Sequence, residues 1–256
     1  MMATDPRQRE RVLAILSPLS FLLLWELAAR LSWIDVRFFP APMTIIAKFK
    51  ELIESGYLWT NTWASLLRLF WGFLLGGVPA LLLGVIMGLY RPVRAIIDPL
   101  VAASYPIPKS AILPLILLIF GLGEASKIVM VALGVFYPVL LNTMSGVMQI
   151  DKIYLDVGKN FQAGRLQVFR TIALPGAMPS IMTGVKLGVG MGLILIAIAE
   201  MIGAKEGIGY LIWNAWQILA VETMYVGLTV IALLGFIFNV ILNELEHLIL
   251  PWKSGK

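Results

Sequence analysis

The chain has 256 residues, 59% hydrophobic and only 14% charged, with net charge +5, one histidine and no cysteine. A water-soluble domain carries about 25% charged residues, so a soluble enzyme, a nucleic-acid binder and a disordered scaffold are excluded together. The apolar runs are long and do not alternate with period two, which predicts an all-α integral membrane protein and not a barrel. Without cysteine there is no disulfide framework, thiolate metal site or cysteine nucleophile. The basic excess then reads as charge on cytoplasmic loops.

In chain order, the first predicted span is Val12–Ala29, with Glu26 near its outer end, where pairing or an interfacial position suits it. Arg7, Arg9 and Arg11 precede it and no small-x-small cleavage site follows, so it reads as a retained signal-anchor. Met43–Ser55 places Ile45, Ile46, Phe49, Leu52 and Ile53 on one face and Lys48, Lys50, Glu51 and Glu54 on the other. About 20 Å long as a helix, it is too short to cross and is expected along the outer interface. Leu69–Tyr90 is charge-free, and Arg68 at its outer end is expected to anchor the interface. Ile96–Phe120 contains Lys109 and is cut by Pro99, Pro106, Pro108 and Pro114. Ile128–Ile150 is charge-free; Pro179–Ala199 contains Lys186 and stops at Glu200; Thr223–Asn243 is charge-free. Before that last span, Ile208–Leu219 carries Tyr210, Trp213 and Trp216, an aromatic set suited to the headgroup layer.

Six spans result, since each needs about 20 apolar residues. With the N-terminus inside, eleven Lys and Arg fall on the cytoplasmic side: Arg7, Arg9, Arg11, Arg91, Arg94, Lys152, Lys159, Arg165, Arg170, Lys253 and Lys256. Six fall outside: Arg30, Arg37, Lys48, Lys50, Lys127 and Lys205. Both termini are therefore expected in the cytoplasm, with His247 facing headgroups at the inner end of the last span.

The inner segment Asp151–Met178 is too long for a plain hairpin and too rich in helix formers to be slack. It reads as two short amphipathic helices hinged near Ala163-Gly164 and ending at Leu174-Pro175. An exposed helix of this kind lays its apolar residues into a partner's groove. The chain has no Gly-x-x-x-x-Gly-Lys-Ser/Thr loop to cradle phosphates, so any nucleotide energy must come from a partner gripping this loop.

The run Asp156-Val157-Gly158-Lys159-Asn160-Phe161-Gln162-Ala163-Gly164, followed by Ile172-Ala173-Leu174-Pro175, resembles the EAA loop of ABC importer permeases. That loop is usually Glu-Ala-Ala, three residues, Gly, nine residues, Ile-x-Leu-Pro. The spacing agrees, while Asp156 stands for Glu, Val157 and Gly158 for the two alanines, and Gln162 for Gly. Leu66-Leu67-Arg68, Pro106-Ile107-Pro108-Lys109, Phe120-Gly121-Leu122-Gly123, Ala199-Glu200-Met201 and Gly207-Ile208-Gly209-Tyr210 extend the resemblance over roughly residues 15–250. They resemble the branch serving nitrate, bicarbonate, sulfonate and taurine.

The resemblance implies a type I ABC importer permease (MetI-like) fold: residues 1–61 as an N-terminal helix plus outer amphipathic helix, 62–250 as the transmembrane domain with coupling loop 151–178, and 251–256 as a cytoplasmic tail. It implies a second permease copy, most simply a homodimer, two cytoplasmic ATP-binding subunits, and a periplasmic or lipid-anchored substrate-binding protein, in a bacterial inner membrane among its lipids. No nucleic acid and no cofactor of its own are expected, because the partner subunit binds ATP. The coupling contacts fall on Asp156, Val157, Gly158, Phe161, Gln162, Ala163, Gly164, Ile172, Leu174 and Pro175.

Charges inside a membrane cost about 2.5–3.5 kcal/mol each on insertion scales, so Lys109, Lys186 and Glu200 need a reason. Lys186 and Glu200 share one helix face about 21 Å apart. Either both line a translocation path, or Lys186 snorkels to the inner interface and Glu200 sits in the outer one. Lys109 lies in a proline-broken span, where freed backbone groups need protein or a cavity; the alternative is a lysine snorkelling at the inner surface. Gly184, Gly188 and Gly192 repeat at i+4, as do Gly72 with Gly76 and Gly84 with Gly88, a pattern that lets helices approach closely. Gly188 and Gly192 also suit a narrow path. A stand-alone secondary transporter or channel is the alternative function, though it calls for paired broken helices and only one is evident. Intramembrane catalysis lacks parts: no ligand-spaced His/Asp/Glu cluster exists, and Lys109 and Ser110 point different ways as helix neighbours.

Overall fold

Proline placement decides where this apolar chain starts its helices and where it bends. The computed structural model describes residues 6–251, with side chains described throughout except at 6–12, 14, 15 and 155. Its helices are α1 Pro6–Arg30, α2 Pro42–Glu54, α3 Tyr57–Leu89, α4 Arg91–Ser104, α5 Leu113–Phe120, α6 Glu124–Met148, α7 Lys152–Asn160, α8 Arg165–Val168, α9 Leu174–Glu200, α10 Ile208–Gln217 and α11 Val221–Ile249. Pro42, Pro92, Pro114 and Pro175 occupy the first turns of α2, α4, α5 and α9, where a missing N–H costs nothing.

Among the described residues four stretches are long and apolar enough to cross a membrane: Tyr57–Leu89, Glu124–Met148, Arg165–Glu200 and Val221–Ile249. A bent pair, Arg91–Ser104 and Lys109–Phe120, meets at 84° and makes a fifth if the two halves are counted as one span. The remaining expected span, Val12–Ala29, lies within the continuous helix α1. The side chains of Arg7, Arg9 and Arg11, and all of 252–256 with Lys253 and Lys256, lie outside the described residues.

Two expected boundaries are corrected. The second span begins twelve residues before Leu69, as α3 starts at Tyr57, so Arg68 sits inside the helix and not at its end. The second loop helix does not stop at Leu174-Pro175. It continues from α8 through a π turn, Phe169–Ala173, into α9, the π turn altering the backbone hydrogen-bond register just ahead of Pro175, which has no N–H to give to the preceding turn.

The chain forms two compact units, residues 1–59 with 211–229, and residues 60–210 with 230–256. In the first, Glu26 accepts from Arg30 Nε at 2.6 Å and from the Met43 N–H at 2.9 Å, tying α1 to the start of α2. Trp25 packs on Tyr225 with ring centroids 5.5 Å apart, and the Tyr225 hydroxyl donates to the Phe38 carbonyl at 3.2 Å.

In the second unit α6 packs between α3 and α9. Its core joins Leu69, Ala80 and Met87 of α3, Val131, Val135, Val139 and Leu140 of α6, and Leu193 and Ile196 of α9. The glycine pattern is a packing device: a Cβ on Gly84 would fall 2.8 Å from the Leu140 carbonyl oxygen, and one on Gly184 2.9 Å from that of Pro138. Such backbone approach is what small-xxx-small stripes provide between membrane helices.

Candidate functional site

The elbow between α6 and α9 is built residue by residue. Asp151 caps α7, its carboxylate accepting from the Ile153 N–H at 3.0 Å. Along α7 the i, i+4 positions Ile153, Val157 and Phe161 make one apolar stripe, joined by Tyr154. It is turned to the outside: Ile153 is 62%, Tyr154 61%, Val157 46% and Phe161 83% exposed. Asp156 and Lys159 pair at 3.0 Å on the surface beside it.

α7 ends in a Schellman motif. The Ala163 N–H bonds the Gly158 carbonyl at 2.9 Å and the Gln162 N–H bonds that of Lys159 at 2.9 Å. This geometry requires a left-handed residue, and Gln162 supplies it at φ 51°. Glycine is the residue that adopts this conformation without strain, so the usual Gly of the EAA pattern has a backbone reason here. Gly164 is extended and caps α8, whose Val168 N–H returns to its carbonyl at 2.9 Å.

The elbow then folds back on itself. Gly158 is buried because the π turn presses against it: a Cβ there would lie 2.9 Å from Ile172 Cδ1. Ala173 is fully buried in a cluster with Val85, Val147, Ala177 and Ile181. Leu174 and Pro175 form the first turn of α9. α7 therefore bears directly on the root of a membrane helix. Gln149, Asp151, Tyr154, Thr171 and Pro175 help line an open cleft of about 480 Å³ at the same place.

The membrane-embedded charges separate. Lys109 Nζ donates to the carbonyls of Ser104 at 2.9 Å, Tyr105 at 3.1 Å and Ile107 at 3.0 Å, and lies 4.1 Å from the Tyr137 ring centroid. All three of its protons serve the carbonyls freed where α4 breaks, so it holds the bend and has no donor left for a passing solute.

Glu200 is fully buried. It accepts from Arg68 Nη1 at 2.8 Å, Ser65 Oγ at 2.8 Å and the Gly209 N–H at 3.0 Å. Arg68, 3% exposed, also grips Glu124 with two bonds, 2.5 Å from Nε and 2.7 Å from Nη2, and donates to the Glu206 carbonyl at 2.7 Å. Both side chains are buried in this cluster, so Arg68 is not an interface anchor.

Asn61, Ser65 and Arg68 are spaced i, i+4, i+7 along α3, a polar stripe absent from the expected site residues although its helical period marks it in the sequence. Their partners complete the first turn of α10: the Gly207 N–H donates to Asn61 Oδ1 at 2.9 Å and the Ile208 N–H to Ser65 Oγ at 2.8 Å. Lys127, expected as an outer-loop charge, is 1% exposed and caps the Leu122 and Gly123 carbonyls at 2.7 and 3.0 Å.

Lys186 is held by α11, donating to Asn243 Oδ1 at 2.5 Å and Glu246 Oε2 at 2.5 Å. It and Glu200 therefore answer to different helices, although both sit on α9. Gly188 and Gly192 are buried, their missing Cβ positions filled by Val135, Val139, Leu69 and Val131, which places them in helix packing. Among the described residues no group of His, Cys, Asp and Glu is arranged to hold a metal ion.

Long apolar helices, a span broken at a proline cluster and one amphipathic elbow rooted in a membrane helix define a helical membrane permease. Residues 80–253 match the family described as binding-protein-dependent transport system inner membrane component. The chain belongs to that family. It is 33% identical to the taurine transport system permease protein TauC of Escherichia coli K12, over 97% of this chain and 92% of that one. It is 35% identical to a protein named for aliphatic sulfonates transport, the permease protein SsuC of the same organism, over 93% and 90% of the two chains. In fold it is similar to a chain of the inward-facing MetNI methionine ABC transporter, with a TM-score of 0.58, 19% identity, and coverage of 73% of this chain and 93% of that one.

Proposed function

We propose that the chain is the membrane subunit of an ATP-driven importer, in which it forms the path for a small anion of the sulfonate or taurine type. The observation that carries the reading is the exposed stripe Ile153, Tyr154, Val157 and Phe161 on a helix braced against α9. An apolar face this open on a short helix suits the groove of a second protein. A partner that moves α7 moves α9 with it through Gly158 and Ile172.

In this reading two copies pair in the inner membrane, each elbow docks one ATP-binding subunit, and an extracytoplasmic binding protein delivers the solute. α1 is the sixth span, both termini lie in the cytoplasm, and the chain hydrolyses no ATP itself. Names of similar proteins support sulfonate-type anions over the wider set with nitrate and bicarbonate.

The test is co-purification of the cognate ATPase with wild-type chain and with Gln162→Trp, which adds bulk at an exposed turn without entering the elbow's interior. Loss of the ATPase from the variant, with normal membrane insertion, is expected. Equal recovery from both overturns docking at the elbow, and ATP turnover by the purified chain alone overturns the division of labour.

A further inference from the structure

Three other cations are engaged by their own surroundings: Arg68 by Glu124, Glu200 and the Glu206 carbonyl, Lys109 by three carbonyls, and Lys127, 1% exposed, by two carbonyls at a loop. Lys186 differs. An ammonium has three donors, and Asn243 and Glu246 take two of them. Beside it lies a cavity of about 280 Å³ between α9 and α11, which Lys186 lines and neither Asn243 nor Glu246 does. Ligand sites run from about 300 Å³ upwards, so this volume suits a solute of few heavy atoms.

The lining is chemically sided. Lys186 and Asn239 are its polar residues, while Leu187, Leu193, Phe238 and Leu242 supply an apolar wall. Gly190 opens it further, since a Cβ there would meet nothing within 4 Å. A tail-less inorganic anion would leave that wall unused. An acid head on a short aliphatic chain matches both ends, with about 0.8 kcal/mol available per buried methylene.

We infer that the cavity between α9 and α11 is a transit site for a small organic anion, its acid head on Lys186 Nζ and its aliphatic part along Leu193 and Phe238. The inference rests on the permease reading above and deepens it by naming the substrate-contacting residue. Glu246 sets the strength of the site. A lone lysine in low dielectric would hold an anion too firmly to release it, whereas one already paired at 2.5 Å offers a hydrogen bond and a tempered field. Sites of passage must bind strongly enough to admit and weakly enough to let go. An anionic lipid carries the same head-and-tail chemistry, and the experiment separates the two sources.

The assembled transporter, with its ATPases and binding protein, is reconstituted in vesicles and uptake is followed for methane-, butane- and hexanesulfonate. Gly190→Leu, which fills open space, is expected to lower butane- and hexanesulfonate uptake at least tenfold and methanesulfonate less than threefold. Lys186→Gln is expected to lower all three at least tenfold, and Lys186→Arg to restore most of the rate. Gly190→Leu carrying all three at the wild-type rate overturns the site. Phosphatidylglycerol retained by wild type, lost from Lys186→Gln and accompanied by unchanged uptake, overturns it in favour of a lipid. A wild-type assembly with no ATP-dependent sulfonate uptake instead overturns the permease reading on which it rests.

Discussion

The Arg68 guanidinium and the Glu200 carboxylate, 132 residues apart in sequence, meet at 2.8 Å where the two side chains are 3% and 0% exposed. The pair joins the middle of α3 to the end of α9, and Glu200 also receives the Gly209 N–H at the start of α10. One carboxylate thus closes two helices and caps a third.

Glu200→Leu is expected to destabilise the protein by about 2–4 kcal/mol, because Arg68 Nη1, Ser65 and the Gly209 N–H lose a buried acceptor. Glu124, 62% exposed, still pairs with the other edge of the guanidinium, which keeps the cost below that of a wholly unpaired charge. Glu200→Gln keeps an acceptor for Gly209 and Ser65 and should cost roughly 1–2 kcal/mol less. Thermal unfolding in detergent ranks the variants; equal melting temperatures for Leu and wild type would refute the clamp.

Lys127→Met tests a different buried charge. Its ammonium satisfies the Leu122 and Gly123 carbonyls, which end a loop running from Gly121, a residue at φ 75°. Methionine fills the same volume but donates nothing, leaving two carbonyls short of partners at about 1–3 kcal/mol. The loss should appear as faster amide exchange in the first turn of α6 with the distant helices unaffected.

Much of this molecule is legible in composition and period, and the illegible part has one cause. Span locations follow from apolar runs because the bilayer demands long internal hydrogen-bonded segments. The amphipathic α2 and the hinge at Ala163-Gly164 follow from local pattern. The roles of Arg68, Lys109, Lys127 and Glu200 do not, because each is decided by a partner far away or by a carbonyl that only a bend exposes. Helical phase alone puts Lys186 and Glu200 on one face, but the neighbours of α9 change along its length, from α11 at Lys186 to α3 at Glu200. The place of Arg68 is hidden for a simpler reason: hydropathy ends the span at the first charge, while the helix itself runs on to Tyr57.

Gln162 stores the small strain that the Schellman turn needs. A non-glycine residue in the left-handed region costs about 1–2 kcal/mol, partly offset because glycine loses more chain entropy on folding. Gln162→Gly should therefore steady the end of α7 by about 0.5–1 kcal/mol, read as slower exchange of the Ala163 amide. Gln162→Val should have the opposite sign, since a β-branched side chain tolerates φ 51° poorly. Identical exchange in all three proteins would mean that the turn is not held in this conformation.

The Gly158–Ile172 contact yields the sharpest test of how α7 communicates with α9. A Cβ at Gly158 would meet only the far end of the Ile172 side chain at 2.9 Å, so Gly158→Ala asks a flexible group to give way and should be mild. Gly158→Leu has no such escape, because Val168 Cγ2 stands at 3.6 Å beside it, and overpacking of this kind costs about 1–3 kcal/mol. The larger residue should lever α7 off the π turn while leaving the spanning helices in place. In the assembled transporter this predicts a specific fault: the ATPase still binds through Val157 and Phe161 and still turns over, but substrate uptake per ATP falls severalfold. Ile172→Ala in the same background removes the obstructing methyl and should recover part of the lost coupling. Recovery of uptake without any change in ATP turnover would identify this contact as the mechanical link; uptake that stays normal in Gly158→Leu would show that force enters α9 elsewhere.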